Sequence, residues 1–301
     1  MRHKPTPLNP NLSSELHHWW PKGVSAFWAG VDGKTTRETP DGGITRQRPE
    51  NLGAIKNAHH VDLQGPWSHS FEPHFDTADS YFPHLITELL QLDSAIGSAS
   101  DYKRRFMNTT LTNESMTFLP ECLASLAVRS PRFKKSVRQM LTQFGSYDEN
   151  ISERDIIFSS NIGHCYPAMI ESLRRCNLIF VLYSDNIEFS FGDGFFHNLP
   201  PSGDPIRNAK LLVPLTPCMA VAALVHRDCK SPGIRTLRLN NHELREINRV
   251  THIYSIDCIF YREMRPEIDN TYFNGSFMTL KDRRWRLLEE MAEPFSDKTG
   301  Y

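Results

Sequence analysis

The chain lacks most features that assign a protein to a class directly. None of its six cysteines belongs to a C-x-x-C pair, whereas zinc sites and secreted disulfide frameworks need closer spacing. Its longest apolar runs, "CNLIFVLY" and "CMAVAALV", span about eight residues against the ~20 of a membrane helix. The G-x-S-x-G, Walker, G-x-G-x-x-G and H-E-x-x-H motifs are missing as well. These absences argue against a disulfide-rich secreted domain, a helical membrane protein and the familiar motif-bearing enzymes.

An excess of charge of one sign is also missing. The 301 residues include 34 Lys and Arg and 35 Asp and Glu, a formal net charge of −1. Binding of nucleic acid by bulk electrostatics needs a positive excess, so only a local basic patch remains for that purpose. A chain of this length can bury a core without a metal or disulfide. The polar first 30 residues do not resemble a signal peptide, and we expect a soluble, cytoplasmic protein with reduced thiols.

The N-terminal part predicts an arm followed by a small β-meander. Residues 1–16 contain three prolines and no apolar period, which predicts a flexible arm. We expect a strand from Val24 to Trp28. Turns are expected at "DGK" (32–34) and "PDGG" (40–43), because Asp-Gly favours tight hairpin turns.

The middle of the chain, about residues 70–175, predicts helices. Apolar residues recur every three or four positions, and Pro83 predicts a break or kink. A further helix is expected to begin at "SPRF", with Ser130 as its cap and Pro131 in its first position. "ISERDIIFSSN" and the segment from Pro167 to Arg175 predict two more helical pieces.

The last part predicts mostly strands. "NLIFVLYS" and "IEFSFGD" are expected to form a hairpin around a turn at 184–186, and "KLLVPLT" and "MAVAALVH" predict further strands. A helix at about 240–253, a strand at "DCIFYR" and an amphipathic helix near "LKDRRWRLLEEM" complete the pattern. The order predicts an α+β fold with one mixed or antiparallel sheet and a helical layer. We expect a single domain over 17–292, whose helical middle can be an insertion, and a tail at 293–301.

Five short motifs occur in an order that resembles a bacterial family. They are "HHWWP" (17–21), "RSP" (129–131), "FSFGD" (189–193), "VPLTP" (213–217) and an asparagine at 248. This order is similar to domain-of-unknown-function family 4238, over roughly residues 17–262. The family's Ser-Asp-Asn-Pro falls on residues 192–195, where only Asp193 is kept. Since the family has no established activity, the resemblance implies a fold and a domain extent.

Three residues are candidates for catalysis. His17 and His18 carry imidazoles, which act as general bases or metal ligands near pH 7. Neighbouring strand residues point to opposite faces, so one of them at most can face a given site. Asp193 follows a strand between two glycines, where a carboxylate can hold a metal or orient a base. The structural alternatives are a histidine bonded across the sheet and an ordinary Gly-Asp turn.

Three further residues are candidates for substrate binding. Arg129 and Arg132 open a basic run that continues to Arg138, at the start of a predicted helix. The guanidinium fork and the helix N-terminus both suit phosphate, although such a run can equally be a solvated helix face. Asn248 matches the late asparagine of the resemblance and is expected either to contact substrate or to fix a loop.

A divalent metal is a further prediction, from a segment rich in transition-metal ligands. Its members are His59, His60, Asp62, His69, His74, Asp76 and Asp79. Their spacing fits no recognised zinc pattern.

Two functions remain open from sequence. The first, slightly favoured, is a hydrolase or nuclease-like enzyme acting on a phosphate-bearing substrate such as nucleic acid or a nucleotide. One of His17 and His18 would be the acid/base, Asp193 would hold a metal or the base, and Arg129 would bind the phosphate. The second is a non-catalytic binding module, for instance from a mobile or phage-defence locus. Convergence of these residues in one cleft would favour the enzyme.

Overall fold

The structure is a computed structural model that describes residues 16–56, 60–61, 69–70, 72–92, 94, 104–144, 151–199, 204–276 and 287–296. Of the predicted arm, Leu16 alone lies within these ranges, and it begins the first strand. In the histidine-rich segment, His59 and Asp62 lie outside the described residues.

The fold is α+β, as predicted, but its strands form two main sheets where the sequence predicted one. The strands are β1 (Leu16–His18), β2 (Thr35–Glu38), β3 (Ile44–Gln47), β4 (Ala54–Lys56), β5 (His60–Val61), β6 (His69–Ser70), β7 (Met107–Thr109), β8 (Leu178–Tyr183), β9 (Phe191–Gly192), β10 (Phe196–His197), β11 (Lys210–Thr216), β12 (Met219–Leu224), β13 (Gly233–Arg238) and β14 (Ile259–Tyr261). The helices are α1 (Lys22–Ser25), α2 (Asp76–Leu90), α3 (Asn113–Arg129), α4 (Pro131–Phe144), α5 (Ile151–Arg174), α6 (Asn241–Tyr254), α7 (Asn270–Phe273) and α8 (Leu287–Ala292).

The larger sheet is mixed, with the strand order β10-β11-β12-β8-β13-β7. Its neighbouring strands are antiparallel except for β8 and β13, which run parallel. Every residue of β8 and β12 is buried, which explains why both read as unbroken apolar runs rather than as alternating strands. The parallel pair brings Tyr183 and Arg238 side by side at the carboxyl ends of their strands.

A second, four-stranded sheet has the order β3-β2-β14-β9 and is antiparallel throughout. The predicted turn at 40–43 joins β2 to β3 and is confirmed: Thr39 N–H donates to the Gly43 carbonyl at 2.9 Å. Strand β14 then pairs with β2, so this sheet joins the two ends of the described chain. Two small ladders, β1 with β4 and β5 with β6, lie apart from it.

The helical middle is confirmed, with α2, α3 and α5 packed together over a core shared with the larger sheet. The predicted start at "SPRF" is confirmed as well. Helix α3 ends at Arg129 and α4 begins at Pro131. The Ser130 hydroxyl accepts a hydrogen bond from Phe133 N–H at 3.1 Å, which satisfies one of the free donors of the new helix.

The helix predicted at about 240–253 is α6, and its start is fixed by a capping box. The Asn240 side chain accepts from Glu243 N–H at 3.0 Å, and the Glu243 carboxylate accepts from Asn240 N–H at 2.9 Å. The same carboxylate forms a buried two-point ion pair with Arg105. Helix α6 therefore starts at a defined position directly after β13.

The strand predicted from Val24 to Trp28 is wrong. These residues form α1 and a 3-10 turn, Ala26–Trp28. The N–H groups of Val24 and Ser25 both donate to the Pro21 carbonyl at 2.9 Å. These local hydrogen bonds take the place of bonds to a neighbouring strand. The turn buries Trp28, whose Nε1 donates to the Leu215 carbonyl at 2.9 Å.

The predicted hairpin of "NLIFVLYS" with "IEFSFGD" is also wrong. Strand β8 pairs with β12 and β13 instead. The second segment shortens to β9 and pairs with β14 in the other sheet. Packing decides this difference: Phe191 stacks on Trp20 and Phe260, with ring centroids 4.6 and 4.7 Å apart. Alternation alone does not reveal which partner a strand will choose.

Two further boundaries differ from the sequence predictions. The helical pieces around "ISERDIIFSSN" and Pro167 form one helix, α5, and Pro83 likewise lies inside α2. The predicted tail begins with a packed turn, Glu293–Phe295, in which Phe295 contacts the rings of Phe106 and Phe180.

Gly194 gives a test of how closely the segment between β9 and β10 packs against α4 and α6. A Cβ there would lie 2.1 Å from the Tyr254 carbonyl oxygen and 3.0 Å from the Arg132 Cβ. We expect Gly194→Ala to lower the free energy of unfolding by about 3 kcal/mol or more, because backbone must move. Gly42→Ala is the control: φ is +83° in open space, and the expected cost is about 1 kcal/mol. Equal losses in urea denaturation would contradict the collision at Gly194.

Candidate functional site

Arg129 is almost fully buried and its hydrogen bonds are made within the chain. Nη1 and Nη2 donate to the two carboxylate oxygens of Asp79 at 2.9 and 2.6 Å. Nε and Nη2 donate to the carbonyl and hydroxyl of Ser125 at 3.2 Å, and Nη1 reaches the His18 carbonyl at 3.4 Å. The guanidinium also lies over the Phe75 ring. Since all five N–H donors have acceptors, Arg129 links α2, α3 and β1.

The paired histidines meet Arg129 through the backbone. The His18 ring nitrogen Nε2 lies 2.9 Å from the Glu50 carbonyl, while the His18 carbonyl faces Arg129. The side chain of His17 lies outside the described part of the chain. A catalytic role for either imidazole stays a prediction.

Asp193 is buried and serves the turn between α6 and β14. Its Oδ1 accepts from Ile256 N–H at 2.8 Å and from Cys258 N–H at 3.5 Å, and its Oδ2 accepts from Asp257 N–H at 2.9 Å. Burial raises the pKa of Asp193 to about 6, although the N–H donors of Ile256 and Asp257 act in the opposite direction. The carboxylate therefore fixes the backbone of this turn. Its oxygens are buried and are not exposed in a cleft.

Arg132 adjoins Asp193 but is enclosed in the same way. Its backbone N–H donates to the Asp193 carbonyl at 3.3 Å. The guanidinium stacks 3.8 Å above the Tyr254 ring and donates to the Tyr254 carbonyl at 3.0 Å. Burial lowers the pKa of Arg132 to about 10. In the rest of the basic run, Lys135 is exposed, and the side chain of Arg138 lies outside the described residues.

Asn248, the last predicted site residue, holds an extended segment against α6. Its Oδ1 accepts from Ser190 N–H and its Nδ2 donates to the Glu188 carbonyl, both at 2.9 Å. One turn later, His252 Nε2 lies 2.8 Å from the Ser190 hydroxyl, and both side chains are fully buried. Burial lowers the pKa of His252 to about 3. The Ser190 hydroxyl and the His252 imidazole are thus placed like a nucleophile and its general base. Because both are fully buried, a substrate has no access to them.

A cleft of about 240 Å³ opens beside Asn248. It is lined by Ile187, Glu188, Arg245, Asn248, Met264, Arg265, Pro266 and Glu267, and we call it the arginine cleft. One wall is the segment after β8, the second is α6 after β13, and the third follows β14. Because β8 and β13 are parallel, the first two walls leave the sheet at the same end of these strands.

Two ion pairs hold the charged walls of the arginine cleft. Arg265 donates to both carboxylate oxygens of Glu38 at 3.0 and 2.7 Å, and Glu38 is buried beneath it. These hydrogen bonds raise the pKa of Arg265. Arg262 donates through Nε and Nη2 to Glu188 Oε1. Arg245 is exposed and has no hydrogen-bond or ion-pair partner among the residues described.

The sequence predictions found Asn248 but missed the charged residues around it. Arg245 lies on the polar face of α6, three positions before Asn248, and Arg265 follows β14 in "REMRPE". These are common surface patterns, so neither marks a site by itself. The sequence signal that could have located this site is the combination of arginines after β14 with arginines on the polar face of α6.

The remaining features bear on metals, membranes and relatives. Among the described residues, no group of three His, Cys, Asp or Glu side chains is placed to hold a metal ion. Within the same residues, no helix has the length and apolar character to cross a membrane.

In comparison with known proteins, no family model, no curated protein and no solved structure matches the chain. The resemblance to family 4238 thus stays a prediction.

The Arg129–Asp79 ion pair gives a test of its structural role. We expect Asp79→Asn to lower the free energy of unfolding by about 2–3 kcal/mol, because it leaves a buried guanidinium without its counter-charge. The loss is smaller than for a fully buried pair because Asp79 is 31% exposed. Asp185→Asn, which breaks the more exposed pair with Arg238, is the control and should cost less than about 1 kcal/mol. Similar losses in urea denaturation would contradict this role for Arg129.

Three buried titratable groups make the free energy of unfolding depend on pH, and the sign of each contribution follows from its pKa. Burial lowers the pKa values of His197 and His252 to about 3, against about 6.5 when unfolded, so each binds a proton on unfolding between these values. The raised pKa of Asp193 acts oppositely, because between about pH 4 and 6 it releases a proton on unfolding. Near pH 5 the three together should lower stability by about 1.4 kcal/mol per unit of falling pH.

His252→Gln isolates one of these protons. The amide can keep a hydrogen bond to Ser190 but does not titrate, so the slope of unfolding free energy against pH should become flatter by about 1.4 kcal/mol per unit near pH 5. His242→Gln, the same substitution on the exposed first turn of the same helix, is the matched control variant. Denaturation curves between pH 4 and 7 measure both, and an unchanged slope in His252→Gln would mean that His252 is protonated in the folded state.

Proposed function

We propose that the chain is a non-catalytic binding protein that recognises an anionic group, a carboxylate or a phosphate, in the arginine cleft. The observation that carries this proposal is Arg245. It is an exposed guanidinium on the cleft wall with no acceptor among the described residues, beside a second arginine that is held in place. A planar fork of donors at a concave surface is the usual means of binding such anions.

Arg265 supports the proposal because it is oriented in advance. Its Nε and Nη2 donate to Glu38, and a side-chain hydrogen bond with Tyr261 adds to the support, while 54% of the Arg265 side chain stays exposed. The hydrogen bonds that raise the pKa of Arg265 also keep it charged. A side chain already fixed in one conformation loses less entropy on binding, so more of the interaction energy appears as affinity.

A hydrolase acting on a phosphate-bearing substrate is the second candidate. It is favoured by the short distances that join the predicted residues, with Arg129 at the His18 carbonyl and Arg132 at the Asp193 carbonyl. These contacts use the backbone, and the Asp193 carboxylate and both guanidiniums are buried. Hydrolysis of labelled single-stranded RNA, DNA or nucleotides with Mg²⁺, lost in Asp193→Asn folded to the wild-type extent, would favour this candidate over the binding protein.

The binding proposal predicts a specific loss on mutation of α6. Acetate, inorganic phosphate and adenosine monophosphate are titrated separately by NMR, which detects millimolar affinities. We expect at least one of them to bind, and Arg245→Ala to weaken that binding about tenfold, because a charge-assisted hydrogen bond is worth roughly 1.5–3 kcal/mol.

Arg249→Ala is the matched control for Arg245→Ala. Arg249 lies one turn further along the same helix and carries the same charge. It pairs with Glu246 and, at 3.9 Å, with Asp269, neither of which lines the cleft. It should leave the affinity within about twofold, since only long-range charge is lost. Equal losses in both variants, or no binding of any probe, would overturn the proposal.

A further inference from the structure

The arginine cleft is lined by two arginines and two glutamates, so the charges of its lining cancel. Arg265 is compensated by Glu38, and Glu188 is compensated by Arg262. Arg245 then remains as an uncompensated cation. Glu267, which is exposed and has no hydrogen-bond or ion-pair partner among the described residues, remains as an uncompensated anion. A ligand that complements these walls therefore carries a negative group and a donating nitrogen, with little net charge.

The rest of the cleft surface is apolar. Met264 is 55% exposed, one of the few large hydrophobic side chains of the described chain to face solvent, and Ile187 and Pro266 line the same cleft. Asn248 contributes mainly shape, because it is buried and its amide already bonds the backbone of Glu188 and Ser190. An unbranched thioether adapts readily to apolar groups of different shape. The ligand is thus expected to present an apolar group next to its polar ones.

The size of the cleft limits the ligand further. Its volume of about 240 Å³ is below the roughly 300–1,000 Å³ of pockets that enclose drug-sized molecules. A dianionic phosphate would also meet the unpaired carboxylate of Glu267 without a compensating second free cation on the cleft wall. One amino-acid residue meets the requirements of size, charge and polarity together.

We infer that the arginine cleft, if it binds anions as proposed above, takes an α-amino-acid unit with an apolar side chain. Its carboxylate lies against Arg245 and the exposed part of Arg265, and its amino or amide N–H donates to Glu267. Its side chain packs on Met264. A peptide C-terminus and a free amino acid share this chemistry, and capture of a chain-terminal carboxylate is a known mode of peptide recognition.

The test compares probes that differ in one group. N-acetylglycyl-leucine, its C-terminal amide, N-acetylglycyl-serine, free leucine and acetate are titrated by NMR into the full chain. We expect N-acetylglycyl-leucine or free leucine to bind at least tenfold more tightly than acetate. The amide should lose this gain because it lacks the anion, and the serine peptide because it lacks the apolar group. Preference for the peptide or for leucine identifies the source, and either supports the inference.

Variants assign the three contacts separately. Met264→Ser should weaken binding of the preferred leucine probe about three- to tenfold while leaving acetate unchanged. Glu267→Gln should weaken the same probe to a similar degree, whereas Glu290→Gln, an exposed carboxylate on α8, should have no effect. Circular dichroism of each variant confirms that it is folded.

Two outcomes separate this inference from the proposed function. If acetate or phosphate binds and needs Arg245, but the leucine probes bind no better than acetate, the inference is overturned and the binding proposal stands. Binding of the leucine probes that is unaffected by Met264→Ser and Glu267→Gln would also overturn it. If no probe binds, or Arg245→Ala has no effect, both are overturned.

Discussion

The architecture depends on one buried carboxylate. Asp193 receives the N–H groups of Ile256, Asp257 and Cys258, and so fixes how the chain leaves α6 and enters β14. The turn can come this close because residue 194 is glycine: any Cβ there would collide with the Tyr254 carbonyl. The rim of the arginine cleft follows β14 directly, so its position depends on the same three hydrogen bonds. Removing the carboxylate would leave buried donors unpaired, which costs more than the bonds themselves contribute.

Buried and exposed arginines have different roles in this chain. Arg129 and Arg132 sit in the interior, where their donors satisfy backbone and carboxylate oxygens and join neighbouring elements. Arg265 is intermediate, since Glu38 holds one edge of its guanidinium while 54% of the side chain stays exposed. Arg245 is free. An interior guanidinium stabilises the fold because every donor is used, and a surface guanidinium can bind a ligand because some donors are not.

The sequence predicted the regular elements better than their partners. The α+β class, the helix junction at Ser130 and the helix after Asn240 follow from local rules of capping and periodicity, and all three are confirmed. The predicted hairpin of residues 177–184 with 187–193 is wrong because strand pairing is decided by distant packing, here the stack of Phe191 on Phe260. Whether a side chain is buried or exposed is likewise decided by residues far away in the sequence. The sequence shows Arg129 and Arg245 simply as arginines, whereas the residues that bury and pair Arg129, such as Asp79 and His18, come from distant parts of the chain.

The antiparallel pairing of β2 with β14 has a consequence for the order of events at the ribosome. Tyr261 and Glu38, which are hydrogen-bonded across this pairing, are 223 positions apart in the chain. The N-terminal hairpin is therefore synthesised long before its partner strand and must wait with one edge unpaired. Closing so long a loop is slow, although the added entropy cost of its length is small. During that interval the unpaired edge of β2 is open to pairing with strands of other chains.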